Sequence, residues 1–190
     1  MPENKVEYGL SKVHYAPYTV AGDVITFETP IPIPGAVSMT SDPVGESTKF
    51  YADNMVYYVA NSNQGYDAKL NIAKIPQQFA IDALGEELDE VDGVLNELAN
   101  VQGKTFALLF QFEGDIKATR HVLYNCTASR PSLSGQTKQA GTDVATTELS
   151  LTASPIEIGD KLIVKTKTTS STTQAIYDSW FTNVYKKAQV

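Results

Sequence analysis

The segment at 106–131, FALLFQFEGDIKATRHVLYNCTASRP, constrains the fold more than any other stretch of the chain. Phe106, Leu108, Phe110 and Phe112 alternate onto one face of an extended strand, with Ala107, Leu109 and Gln111 on the other. Gly114 marks a turn, and a second strand returns through Ile116, Ala118, Val122 and Tyr124. A three-residue loop, Glu113-Gly114-Asp115, pairs Phe112 with Ile116, Phe110 with Ala118 and Phe106 with Val122. A two-residue Gly114-Asp115 turn instead sets the phenylalanines opposite Lys117, Thr119 and His121. Burying each large apolar side chain is worth roughly 1.5–3 kcal/mol, which favours the three-residue loop. Phe106, Leu108, Phe110, Phe112, Ile116 and Val122 then form the core scaffold, with Arg120 opposite Leu108 as the one misfit.

Short strand-like runs dominate the remainder, at 6–18, 24–28, 36–41, 48–52, 55–60, 66–73, 148–152 and 162–168. With the hairpin they predict a mainly β fold of two packed antiparallel sheets, a sandwich or barrel. The Pro30-Ile-Pro-Ile-Pro34 run lacks regular ladder donors and reads as an edge or a crossing between sheets. Two helices are expected. Pro76 opens a short one that carries Phe79, Ala80, Ala83 and Leu84 and stops at Gly85. Thr172 or Thr173 caps a C-terminal one with Ile176, Trp180 and Val184 on one face beside Tyr177 and Phe181, and Lys186 and Lys187 at its negative end. Its aromatic stripe packs on the chain's own sheet in this reading. The length of 190 residues suits a single domain, residues 1–190, interrupted by a long polar loop at 132–147.

No stretch approaches the ~20 apolar residues of a membrane span, and the N-terminus lacks a basic-plus-apolar leader pattern, so synthesis and first residence are expected in the cytosol. Cys126 is the sole cysteine, expected as a buried thiol. A net charge of -7 argues against a surface built to grip nucleic acid, which needs cations to replace counterions on phosphates.

Motifs for chemistry fail on spacing. Gln102-Gly103-Lys104-Thr105 lacks the leading glycine of a phosphate loop, since Leu98 stands there. Aligning Gly93 to a calcium loop puts Leu88 and Ala99 at ligand positions, leaving the acidic run at 86–92 as a solvated turn. His14, His121 and Cys126 do not make an ordinary zinc set, and Ser132-Leu133-Ser134-Gly135 lacks the first glycine of a nucleophile elbow. No cofactor, metal or catalytic activity is expected. A different kind of site is suggested by FYADNMVYY, where Phe50, Tyr51, Tyr57 and Tyr58 crowd around the turn formers Asp53 and Asn54. These rings either anchor an interface or pack over their own sheet; the sequence leaves both open.

The stretches VEYGLSKVHYA, PIPIPGAVS, FYADNMVYY, NQGYDAKLNIAKIPQQFAIDALGEELDE, FALLFQFEGDIKATRHVLYNCTASRP and YDSWFTNVY, taken in this order, resemble the major tail tube proteins of long-tailed, non-contractile bacteriophages of Gram-positive hosts. The resemblance spans nearly the whole chain and is weakest at 132–147. It implies a structural virion protein, made in the host cytoplasm, that forms rings of six subunits stacked into a tube. DNA passes through the lumen of such a tube without specific binding, and its partners are tape measure, terminator and distal tail proteins. Candidate subunit contacts are Phe50, Tyr51, Tyr57 and Tyr58, with Ser134, Gln136 and Lys138 of the polar loop. The alternative is a virion-associated carbohydrate- or receptor-binding β-domain that forms no tube.

Overall fold

The structure, a computed structural model, describes residues 3–22, 24–133, 135 and 145–187. The fold is mainly β. In chain order it contains β1 (Glu7–Ala21), β2 (Val24–Phe27), β3 (Ile31–Pro32), β4 (Ala36–Val44), β5 (Ser47–Ala52), β6 (Met55–Asn61) and β7 (Gly65–Ile72). A short helix α1 (Gln77–Phe79) continues as one π turn (Ala80–Leu84). Then come β8 (Glu87–Leu88), β9 (Leu95–Asn96), β10 (Phe106–Gly114), β11 (Thr119–Ala128) and β12 (Thr147–Ser154). The chain closes with β13 (Ile156–Ile158), β14 (Lys161–Ile163), β15 (Lys165–Lys167) and the helix α2 (Gln174–Ser179).

Hydrogen bonding joins nine strands into one sheet, in the order β2-β1-β10-β11-β12-β7-β4, with β3 on β1 and β15 on β11. The antiparallel, mainly β architecture agrees with the sequence reading, though its layers belong to one bent sheet and do not close a barrel. The bend has local causes. β1 shifts register twice against β10, and Gly9 (φ 60°) and Lys12 (φ 51°) lie in those shifts. Bulges of this kind bend and twist a strand. β11 is shared along its length, pairing β15 at 121–123 and β12 at 125–128.

Both faces of the central strands are covered. One face holds Phe106, Leu108 and Phe110 with Tyr15, Leu70, Ile72, Leu149 and the helix residue Phe79. Phe79 and Phe106 meet edge to face at 5.3 Å, and the Tyr15 hydroxyl donates to Asp82 Oδ2 at 2.8 Å, tying α1 and its π turn to the sheet. Pro76 precedes this helix and Gly85 ends it in the left-handed conformation, φ 78°. On the opposite face Ala107, Leu109, Val122 and Tyr124 pack under Trp180 and Val184 from the C-terminal segment. α2 is shorter than the stripe predicted. It stops at Ser179, and Lys186 donates to the Ile25 carbonyl of β2 at 2.8 Å instead of capping a helix end.

The hairpin register differs from the sequence expectation. Phe112 pairs with Thr119, Phe110 with His121 and Leu108 with Leu123, joined by a longer connection. Both faces of β10 are core, since Ala107 and Leu109 are as buried as Phe106 and Phe110. Alternation therefore left the pairing open, and a contact more than a hundred residues away decides it. Asn4 donates to the Lys117 carbonyl at 2.6 Å and accepts from the amides of Ile116 and Lys117, while the Lys5 amide donates to Asp115. The connection is held open around that side chain.

Ile116 is consequently not core; it sits in the connection, 53% exposed. Val122 is buried, but on the face away from the phenylalanines, beneath Trp180. Phe112 is half-buried at the edge of its cluster. Arg120 is no misfit in the observed register. It faces α2, donates to Gln111 Oε1 at 3.3 Å and to the Tyr177 carbonyl, and stacks 3.7 Å from the Tyr177 ring centroid. An irregularity between Leu123 and Cys126 turns Cys126 onto the face of Leu123, where burial pushes its thiol pKa up to about 12.

Candidate assembly interface

β5 and β6 form a two-stranded hairpin that pairs with nothing else among the described residues. Its tip is a two-residue turn: Ala52 pairs with Met55, and Asp53 (φ 51°) and Asn54 (φ 61°) both take the left-handed conformation. Such primed turns match the twist of the flanking strands, and Asp and Asn tolerate positive φ better than most residues. Opposite residues share a face. Phe50, Tyr58 and Met55 therefore line one face, and Lys49, Tyr51, Val56 and Val59 the other. A register shift inserts Tyr57 as an extra residue between these pairs.

Both faces of the hairpin carry exposed apolar side chains. Tyr57 is 70% exposed, Tyr51 and Tyr58 63% and Phe50 60%. Met55, Val56 and Val59 are also exposed. Among the described residues the rings do not pack over their own sheet. An isolated two-stranded hairpin is at best marginally stable in water, and a contiguous exposed apolar patch on a folded chain marks an interaction site.

The neck of the hairpin is hydrogen-bonded across its two strands. The Ser62 amide donates to the Glu46 carbonyl at 2.9 Å, the Glu46 amide to Ser62 Oγ at 2.9 Å, and the Gln64 amide to the Val44 carbonyl at 2.8 Å. Two glycines make the close approach. A Cβ on Gly45 would lie 2.0 Å from the Ser62 carbonyl oxygen, and one on Gly65 2.0 Å from that of Ala153. Gly65 also has φ 124°, a conformation for which only glycine is suited.

Sequence reading found the four rings but passed over Met55, Val56 and Val59. The signal was present in MVYYV: in a strand, apolar residues at consecutive positions cover both faces, so one face must find a partner beyond the hairpin. Ser134, Gln136 and Lys138, the other expected contact residues, lie outside the described residues. Among the described residues no group of three His, Cys, Asp or Glu side chains converges to hold a metal, and no helix is long and apolar enough to cross a membrane. The acidic run forms the β8–β9 hairpin. Its Asp89 carboxylate accepts the amides of Val91 and Asp92, and those bonds lower its pKa.

Neither a family model nor a curated protein matches the chain. Among solved structures it is similar to the tube-terminating cap of the anti-feeding prophage, with a TM-score of 0.49 and 10% identity, over 89% of this chain and 97% of that one.

Proposed function

We propose that this chain is a structural subunit of a bacteriophage-type tail tube, non-catalytic and cofactor-free, assembling into stacked rings, six subunits to a ring, that conduct DNA. The observation that carries the reading is the β5–β6 arm, which bears apolar residues on both faces that no other described residues cover. Segment resemblance along nearly the whole sequence supports the same assignment. Lateral contacts have a natural donor in the sheet ends. β4 is the last strand of the sheet and pairs only with β7 among the described residues, so its outer ladder is free for a neighbouring subunit.

The charge balance suits a conduit. With 22 acidic and 15 basic residues the chain repels a polyanion within about a Debye length, ~8 Å at physiological salt. A basic wall would instead bind phosphates in series and stall their passage. Tape measure, terminator and distal tail proteins would be the neighbours of such a tube, in the virion and in the host cytoplasm during assembly.

Sedimentation of the purified chain over a concentration series tests this. The expected result is a transition from small species to large polymers, lost when residues 47–61 are replaced by a short glycine turn that leaves β4 and β7 intact. A chain that stays monomeric at every concentration yet binds immobilised glycans through Tyr51, Tyr57 and Tyr58 would instead be a virion-associated binding module.

A further inference from the structure

Positive charge collects where α2 and Phe181 pack against β1 and β11, on a chain whose net charge is -7. Arg120 Cζ lies 3.7 Å from the Tyr177 ring centroid and 5.0 Å from that of Phe181. Lys117 Nζ is 3.7 Å from the Tyr177 centroid and Lys12 Nζ 5.8 Å from that of Phe181. The two rings thus tie three cations into one patch. An aromatic face attracts a cation through its quadrupole and leaves the charge in place. Among the described residues none of the three is ion-paired; the ion pairs there join Lys69 to Glu148 and Arg130 to Glu97. Carboxylates on the neighbouring elements are engaged elsewhere: Glu7 accepts from Thr119, Glu113 from Ser11 and Asp178 from Gln174.

Two further features single out this patch. Arg120 is only 8% exposed, and a guanidinium taken that far out of water normally faces a carboxylate. Its partners here, the Gln111 side chain and the Tyr177 carbonyl, are neutral. Lys12 has φ 51° in a register shift of β1, whereas the neighbouring shift is met by Gly9 at φ 60°. Bulges re-aim side chains, and strain of this kind in a residue with a Cβ collects where the side chain is used. The Lys12 carbonyl accepts from His14 Nδ1 at 2.9 Å, and the His14 ring meets Phe181 at 4.9 Å, which ties the bulge to the patch. We infer that the patch is a docking surface for an acidic segment of another protein, whose carboxylates neutralise Lys12, Lys117 and Arg120. Tyrosine and arginine are the side chains that dominate such contacts. The inference stands apart from the tube reading, since it concerns a different partner. Nucleic acid fits less well: a long polyanion meets the repulsion of the whole chain, whereas a short acidic segment feels the local charge, screened beyond ~8 Å. The chain's own acidic run also fits less well. Its tip presents Val91, 92% exposed, and its Asp89 carboxylate is folded back onto the amides of Val91 and Asp92.

Fluorescence anisotropy of a labelled oligoglutamate peptide, titrated with the intact chain at low salt, tests the surface. Binding is expected, with loss on adding salt, and should weaken about tenfold or more in Lys12→Glu/Lys117→Glu. Lys74→Glu/Lys104→Glu, with the same change in net charge at exposed positions, should bind as the parent does. Lys12→Gln/Lys117→Gln, which only neutralises the pair, should show a smaller loss, and circular dichroism checks that each variant is folded. No binding by the parent chain, or an equal loss in the two charge-reversed variants, overturns the inference. Tighter binding of an oligothymidylate of the same length overturns it as well, because the surface would then take nucleic acid. Sedimentation of Lys12→Glu/Lys117→Glu against the parent separates the patch from self-association. Identical sedimentation is expected, and polymerisation lost in the variant alone would make the patch a contact between copies and overturn the foreign partner. A parent chain that never polymerises removes the tube reading and leaves the peptide result to decide this one.

Discussion

Replacing Tyr58 by Ala separates assembly from folding in a way the structure makes quantitative. Tyr58 stands opposite Phe50 on one face of the arm, and its side chain is 63% exposed. Full burial of such a side chain is worth roughly 1.5–3 kcal/mol, so the remaining two-thirds is worth about 1–2 kcal/mol on assembly. At 1.4 kcal/mol per tenfold, the critical concentration for polymerisation should rise about 5- to 30-fold. Folding should hardly change. The substitution lies on the surface of a separate hairpin, where the lost cross-strand pair costs at most about 1 kcal/mol and acts within the arm. Polymer pelleted from a concentration series gives the first quantity, and urea unfolding monitored by far-UV circular dichroism gives the second. A critical concentration unchanged within about twofold refutes the placement of this ring in a subunit contact. A large loss of unfolding midpoint refutes the independence of the arm from the core.

Further outcomes follow from the core and the neck. His121 is stacked on Phe110 at 5.1 Å, with Nε2 unpartnered among the described residues, and burial lowers its pKa to about 4. Because the folded value lies below the unfolded 6.5, the neutral ring contributes stability in full above about pH 6.5, lost progressively as pH falls toward 4, at most about 3 kcal/mol. Urea midpoints compared at pH 7 and 5 check this, and a His121→Leu chain that loses stability as steeply would contradict it. Arg120→Ala leaves the Gln111 side chain and the Tyr177 carbonyl without their donor and removes the platform under α2. It should destabilise by about 2–4 kcal/mol in urea titration. Gly65→Ala drives a Cβ against the Ala153 carbonyl at a positive φ, and should lower the thermal midpoint by several degrees where Gly22→Ala, also at positive φ but with nothing within 4 Å, lowers it less.

What sequence could convey here depended on whether the determinants were local. Pro76 and Gly85 bound a helix through their own backbone geometry, and Asp53-Asn54 declared a tight turn, so both were legible without tertiary knowledge. The pairing of β10 with β11 was not. Its alternation predicts a covered face but not how many faces are covered, and the connection is fixed by Asn4 across 113 residues of sequence. That is why Ile116 was assigned to the core it does not enter, and Val122 to the wrong side of the sheet. At the assembly surface, the rings of the arm could be read from composition, but their exposure followed only once both faces were seen to lack a partner.

Polymerisation of this chain into a tube is visible by electron microscopy of the concentrated, purified protein in negative stain. Rings with a central channel and tubes built from them are expected, together with a shift to dispersed small particles when Phe50, Tyr57 and Tyr58 are replaced by Ala. Monodisperse single subunits at every concentration, with the arm intact and the fold confirmed by circular dichroism, would contradict it.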